Sequence, residues 1–264
     1  MFSIKDLSPF GALITASSEH DNINEIGAEV LNNLLSQYKV LVFRGFKALP
    51  DPQYINFCES LGNLMYWEFG ALLNVKMEQD PKNHIFSKGR VELHWDGAFA
   101  QQTPRINAFQ CTVSSEDGRG GETLFVDTTR ILKDIPSSQL EDWKKIKLFY
   151  STEKKAHYGG SIDVNLIETH PHKGHSVIRF IEIENEDNQE VNPVQLSIKD
   201  LNHQPVESQE IVQSITEILY DPKYMYRHQW VSGDYMLIDN NSVLHGRAKV
   251  EGNVNRHLKR VHIL

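Results

Sequence analysis

Between residues 22 and 36, Ile23, Ile26, Val30, Leu31, Leu34 and Leu35 recur at three- and four-residue steps. That spacing predicts an amphipathic helix. The run Val40-Leu41-Val42-Phe43 follows, closed by Gly45, and reads as a buried strand. Asp51-Pro52 supplies a cap acceptor and a first-turn proline. Tyr54, Phe57, Cys58 and Leu61 supply an apolar stripe and Gly62 a stop, which predicts a second helix. From about residue 90 the period changes from helical to alternating. Strands are expected at 90–96, 105–114, 122–127, 146–151, 175–183, 224–231, 235–239 and 255–263, with turns at Gly120-Gly121 and Ser232-Gly233-Asp234. One further helix, near 207–220, carries Ile211, Ile215, Ile218 and Leu219. The acidic stretch Glu184 to Glu190 reads as a solvated loop. The segment from Phe69 to Arg90 has no clear period and is a candidate lid.

Helices first and many short strands afterwards indicate a mixed, mainly β fold: a β-sandwich or jelly roll with flanking helices. No linker interrupts the pattern, so residues 1–264 are read as one domain. A hydrophobic share of 40% supports a core of that size. The net charge of −8 argues against a partner held by phosphate neutralisation, and therefore against nucleic acid. No run reaches the roughly 18 apolar residues needed to span a bilayer, and Met1 to Phe10 does not read as a signal peptide. Cys58 and Cys111 lack a CxxC spacing and read as reduced, partly buried thiols. Together these features predict a cytoplasmic protein with a small-molecule partner and no membrane contact. The oligomeric state, including a homo-oligomer, stays open.

Candidate chemistry begins at His94-Trp95-Asp96. On a strand, His94 and Asp96 face the same side about 6.6 Å apart, while Trp95 faces the other. His245, after the 235–239 strand and the turn Asn240-Asn241-Ser242, is the candidate third ligand. Two histidines and a carboxylate can hold one face of Fe(II) and leave the remaining positions open. An HxD triplet also arises by chance among 12 histidines. His170-Pro171-His172 competes for the role but lacks a carboxylate in strand register. His84, His157, His203 and His228 read as surface or core histidines.

The C-terminal strand adds a second feature. Arg256, Leu258, Arg260 and His262 fall on one face, with the two arginines about 13 Å apart. A solvated edge strand accounts for this pattern. So does a pair of carboxylate clamps, because guanidinium offers a planar fork. In Gly120-Gly121-Glu122-Thr123, Thr123 either offers a hydroxyl to an anion or belongs to an ordinary hairpin.

Taken in order, His94-x-Asp96, Gly120-Gly121-Glu122-Thr123, His245, Arg256 eleven residues later and Arg260 resemble the taurine dioxygenase-like branch of Fe(II)/2-oxoglutarate-dependent oxygenases. Val40-Leu41-Val42-Phe43-Arg44-Gly45 and Thr169-His170-Pro171 with Gly174 also look like that family. The resemblance covers roughly residues 22–263. It implies a double-stranded β-helix, with Fe(II) on His94, Asp96 and His245. It further implies 2-oxoglutarate and O₂ as co-substrates, with Thr123 and Arg256 on the distal carboxylate of 2-oxoglutarate. Arg260 falls where that family contacts a substrate anion. Leu93-His94-Trp95-Asp96-Gly97-Ala98-Phe99 looks more like the dioxygenases of isonitrile biosynthesis than like taurine dioxygenase.

The implied reaction is hydroxylation or desaturation of a small, carboxylate-bearing, amino-acid-derived substrate. Asp96 argues against halogenation, because related halogenases lack that carboxylate. Tyr66, Trp67, Phe69 and Phe99 are candidates for an aromatic wall, with Tyr66 the substrate contact. The alternatives are a sulfonate or sulfate-ester dioxygenase, a non-catalytic jelly-roll binding protein, and a Zn²⁺ hydrolase. The last leaves Arg256 unexplained.

Overall fold

The computed structural model describes residues 2–114, 120–152, 160–183, 187, 194–200, 208–252 and 255–264. In chain order, β1 (Phe2–Asp6) and β2 (Ala12–Ala16) precede α1 (Ala28–Tyr38), β3 (Val40–Arg44) and α2 (Asp51–Leu61). Then come β4 (Leu72–Lys76), β5 (Val91–His94), β6 (Ile106–Val113) and β7 (Thr123–Asp127). Two short helices, α3 (Thr128–Asp134) and α4 (Ser137–Trp143), lead into β8 (Lys147–Thr152) and β9 (Gly160–Asn165). Next are β10 (Ile167–Thr169), β11 (Ser176–Ile178), β12 (Val194–Lys199) and α5 (Ser208–Leu219). The chain ends with β13 (Met225–His228), β14 (Tyr235–Asp239), β15 (Val243–Arg247) and β16 (His257–Ile263).

Two sheets form the centre. One runs β1-β2-β3-β14-β6-β16-β4 and the other β13-β7-β15-β5. All neighbours within them are antiparallel except β2 and β3. Val42, Met236, Phe109 and Leu258 of the larger sheet meet Phe125 and Val243 of the smaller in one buried cluster, so the sheets pack face to face. Strand alternation places Phe43, Leu237, Ala108 and Val261 on the other side of the larger sheet, under Leu31, Leu35, Tyr54 and Phe57 of the first two helices. The outer face of the smaller sheet, with Leu93, Leu124 and Leu244, packs on Ile131, Tyr150, Ile178, Ile215 and Leu219. The molecule is therefore mainly β, with helices on both outer faces.

Several elements depart from the pattern read in the sequence. The first helix breaks at Gly27: Ile23–Glu25 is a 3-10 turn, and α1 starts only at Ala28. Pro50 takes the cap position before α2, which makes Asp51 a first-turn residue that complements the helix dipole. Part of the candidate lid is sheet, because β4 pairs with β16 from Lys76 opposite His257 to Leu72 opposite Val261. Apart from Asp187, the acidic stretch Glu184 to Glu190 lies outside the described residues, as do His157 and His203. Cys58 and Cys111 are buried and unbonded to each other. Burial pushes the Cys111 thiol up to about 12. Among the described residues, no helix is long and apolar enough to cross a membrane.

Candidate metal centre and co-substrate pocket

The smaller sheet brings the three proposed ligands together. β15 lies between β7 and β5, and His245 is paired opposite His94 on one side and Phe125 on the other. The ladder to β5 shifts register between His245 and Arg247. Gly246 allows this close approach: a Cβ there would meet the Val91 carbonyl oxygen at 2.7 Å. The strand expected over 90–96 ends at His94, so Asp96 lies beyond the ladder. It is held instead by Asn240, whose Oδ1 accepts from Asp96 N at 2.9 Å and whose Nδ2 donates to Asp96 O at 3.0 Å.

One ligand atom from each of His94, Asp96 and His245 lies within 4.8 Å of the others. His94 Nε2 is 3.6 Å from Asp96 Oδ1, and His245 Nε2 is 3.5 Å from Asp96 Oδ2. Those separations are long for hydrogen bonds. They suit donor atoms that converge on a shared point. His94 Nδ1 lies 2.8 Å from the Glu92 carbonyl oxygen, an acceptor, so Nδ1 carries the hydrogen and Nε2 presents its lone pair to the site. Burial, reinforced by the neighbouring His94, pushes the His245 imidazole down to about 4 and keeps it neutral, as a metal ligand requires. Asp96 is held well below the usual carboxylate range: burial opposes this, but Arg260, His262 and His245 outweigh it. Burial lowers His94, but its contacts with Asp96 and the Glu92 carbonyl outweigh that and raise it, so a metal ion would have to displace a proton there. Two imidazoles and an ionised carboxylate fit Fe(II).

Beside the triad lies a buried guanidinium that pairs with no carboxylate among the described residues. Arg256, just before β16, is 7% exposed, and its Nε is buried without a hydrogen-bond partner. Its Nη2 donates to Thr123 Oγ1 at 3.2 Å. Trp230 Nε1 donates to the same oxygen at 2.8 Å, so the threonine hydroxyl hydrogen is left to donate elsewhere. Burial alone pushes the Arg256 side chain down to about 10. An uncompensated buried cation is costly unless an anion joins it. Arg256 and Thr123 line a cavity of about 460 Å³ together with His94 and His245. A carboxylate clamped there stands next to the proposed metal ligands. The Gly120-Gly121 turn that leads to Thr123 is also as expected: both glycines take φ +75°, and a Cβ at Gly120 would meet the Lys249 carbonyl oxygen at 2.3 Å.

A larger cleft of about 670 Å³ opens on the other side of His94 and Asp96, walled by Ile85, Phe99, Ile181 and Val194. Arg260 lines both cavities. Its Nη1 lies 3.2 Å from each Asp96 oxygen, so the arginine assigned to a substrate anion is already anchored on a proposed ligand.

Of the expected aromatic wall, Phe99 lines the cleft, whereas Tyr66 is 68% exposed and turns to solvent. Its neighbour Trp67 reaches inward to His262. The competing pair His170 and His172 lies away from the triad. His170 is buried 3.5 Å from Asp239, which also pairs with Lys173 at 2.7 Å. His228 is a core histidine beside Asp234 at 3.3 Å. Sequence reasoning did not assign Asn240, His262 or His84 to the site. His262 carried a signal, since strand alternation put it on the face of Arg256 and Arg260. Asn240 was marked only as a turn residue. The ring of His84 lies 6.4 Å from that of His94.

The chain matches the family model described as taurine catabolism dioxygenase TauD, TfdA family, over residues 3–262. It belongs to that family. It is 41% identical over 264 residues to 3-((Z)-2-isocyanoethenyl)-1H-indole synthase of Fischerella ambigua, covering 100% of this chain and 96% of that protein. It is 32% identical over 256 residues to tyrosine isonitrile desaturase of Pseudomonas aeruginosa, covering 96% of this chain and 87% of that protein. Among solved structures, PvcB of Pseudomonas aeruginosa superposes with a TM-score of 0.83 at 28% identity, over 99% of this chain and 91% of that one. A second PvcB structure, described as an Fe, alpha-ketoglutarate dependent oxygenase from an isonitrile synthetic pathway, gives 0.81 at 29% identity, over the same shares of the two chains.

Proposed function

We propose that this chain is an Fe(II)- and 2-oxoglutarate-dependent oxygenase of isonitrile natural-product biosynthesis. It hydroxylates or desaturates a small, carboxylate-bearing, amino-acid-derived isonitrile. The observation that carries the reading is the buried, anion-lacking Arg256 with Thr123, in one cavity with His94 and His245. A metalloprotein that only activates water has no use for such a clamp; a 2-oxoglutarate enzyme needs it. The relatives point to the substrate class, since two of them are named for isonitrile chemistry on indole and tyrosine frameworks.

In this reading the whole chain is one oxygenase domain with a double-stranded β-helix core, supported by the face-to-face sheets and by a family match that runs nearly end to end. His94, Asp96 and His245 hold the iron. Arg256 and Thr123 take the distal carboxylate of 2-oxoglutarate. Bound iron with 2-oxoglutarate and O₂ supplies the oxidation of a substrate C–H bond, with succinate and CO₂ released. The residues of the chain do the positioning. Phe99, Ile181 and Val194 give the cleft an apolar wall for an aromatic side chain. Arg260 presents positive charge where that cleft meets the co-substrate cavity, which suits a substrate carboxylate.

Anaerobic addition of Fe(II) and 2-oxoglutarate should give a weak visible charge-transfer band. A panel of tyrosine- and tryptophan-derived isonitriles, free amino acids and sulfonates, read by succinate release in air, then identifies the substrate class. Turnover with an isonitrile is expected. Turnover with sulfonates alone would overturn the isonitrile assignment, and absence of the band would overturn the co-substrate clamp.

A further inference from the structure

Asp96 lies past the end of β5, so no ladder fixes its side chain. Four groups surround the carboxylate: His94, His245, Arg260 and His262. His262 is the least expected. It is 2% exposed, on the face of β16 that carries Leu258 and Arg260, and its Nε2 lies 3.0 Å from Asp96 Oδ2.

The far side of that ring is fixed by Trp67. Trp67 Nε1 donates to His262 Nδ1 at 3.2 Å, and the two rings meet edge to face with centroids 5.6 Å apart. An indole N–H can only donate. Nδ1 must therefore accept, which places the imidazole hydrogen on Nε2, where it donates to Asp96. The indole is itself placed by backbone. Trp67 N donates to Gly70 O at 3.0 Å and Gly70 N to Trp67 O at 2.9 Å, which closes a tight turn. Met65 N donates to the carbonyl of His262 at 2.9 Å, which anchors that turn on the same residue the indole touches.

We propose that Trp67 and His262 form a positioning pair for the metal centre: the indole selects the imidazole tautomer whose Nε2–H holds the Asp96 carboxylate in its ligating orientation. This rests on Asp96 being an iron ligand. The line of contacts runs from this aromatic turn to the ligand, and neither Trp67 nor His262 lines the cleft or the cavity of Arg256. An imidazole in the other tautomer would turn its lone pair on the carboxylate and repel it. Outer groups that orient a ligand typically change metal affinity or activity by about 10- to 100-fold when removed.

The test begins with metal-free protein. Long-range ¹H–¹⁵N correlations of the His262 ring should show the Nε2–H tautomer in the wild type and a mixture in Trp67→Phe, which keeps a ring and loses the indole N–H. Fe(II) affinity is then measured anaerobically by equilibrium dialysis. His262→Leu should bind Fe(II) about 10- to 100-fold more weakly. His262→Gln, whose amide N–H can take the place of Nε2–H, should recover most of that loss. Trp67→Phe should fall between the wild type and His262→Leu, and thermal unfolding confirms that each variant is folded. An Nδ1–H tautomer in the wild type overturns the proposal. So does wild-type Fe(II) affinity in His262→Leu, or a His262→Gln variant no better than His262→Leu. Wild-type protein that holds no Fe(II) overturns the ligand assignment itself, and the role of His262 with it.

Discussion

Asn240 holds Asp96 by both of its backbone polar groups, accepting from N at 2.9 Å and donating to O at 3.0 Å. The same amide donates to Pro104 O at 2.8 Å and accepts from Asn107 Nδ2 at 3.2 Å. It thus replaces a missing ladder partner and ties Asp96 to the turn that leads into β15 and His245. Asn240→Ala leaves several buried groups unpaired, at a cost of about 3 kcal/mol. The melting temperature should fall by roughly 6–12 °C. Fe(II) affinity should fall as well, because Asp96 loses its support. A variant with wild-type Tm and wild-type Fe(II) binding would show that the amide is dispensable.

Arg256 offers a cleaner separation between co-substrate and metal. Its Nε has no partner, and its burial is uncompensated until an anion arrives. Arg256→Ala should raise the KM for 2-oxoglutarate by about two orders of magnitude, equivalent to about 3 kcal/mol. Fe(II) affinity measured without 2-oxoglutarate should stay near the wild-type value, since Arg256 is not among the ligands. Steady-state kinetics and dialysis check the two halves separately. An unchanged KM removes Arg256 from its role.

The proposed ligands and the proposed clamp could be put forward from the sequence because each rests on short spacings along the chain that can be counted without the fold. His94 and Asp96 are two apart although β5 ends at His94, and Arg256 follows His245 across the segment between β15 and β16. In the sequence Asn240 reads only as a turn residue and Trp67 only as part of a substrate wall, because the contacts they make depend on where a turn from one part of the chain meets a strand from another. Tyr66 is the substrate contact expected from the sequence, but it is exposed while Trp67 reaches His262, and only the turn geometry decides which of two adjacent aromatics faces inward. Elements failed for local reasons. β1 is a largely exposed edge with the mixed sequence Phe2-Ser3-Ile4-Lys5-Asp6, and β15 carries a histidine, a glycine and an arginine in five residues. β1 alternates only from Phe2 to Lys5, too short a run to stand out, and β15 shows no alternation. Gly27 interrupts a helical stripe that apolar spacing alone would run straight through.

Asp239 makes the stability of the turn before β15 depend on pH. Its carboxylate accepts from Asn241 N at 3.1 Å and Ser242 Oγ at 3.0 Å, and pairs with Lys173 at 2.7 Å. Burial opposes ionisation, yet His170 and Lys173 hold the group below its ordinary 3.8. A depressed carboxylate stabilises the fold above its unfolded value, and that contribution is lost as pH falls below it. The wild-type melting temperature should start to drop as pH falls below about 5 and go on dropping toward about pH 2. Asp239→Asn should be less stable near neutrality and show a flatter decline over that window. Parallel slopes for the two proteins would assign the acid sensitivity to other carboxylates.

Gly246 tests whether the spacing of β5 and β15 sets the metal geometry. A methyl group there would lie 2.7 Å from the Val91 carbonyl oxygen and 3.2 Å from that of Glu92. Both are main-chain atoms, so no side chain can rotate away. Either β15 moves from β5 or the ladder breaks, and His245 is the next residue along. Such overpacking costs about 1–3 kcal/mol. The same displacement pulls His245 Nε2 from its place 3.5 Å from Asp96. Gly246→Ala should therefore lower Tm and weaken Fe(II) binding by at least about tenfold, on the scale of other disturbed ligand supports. Stability loss with intact Fe(II) affinity would show that the strands separate without moving the ligand.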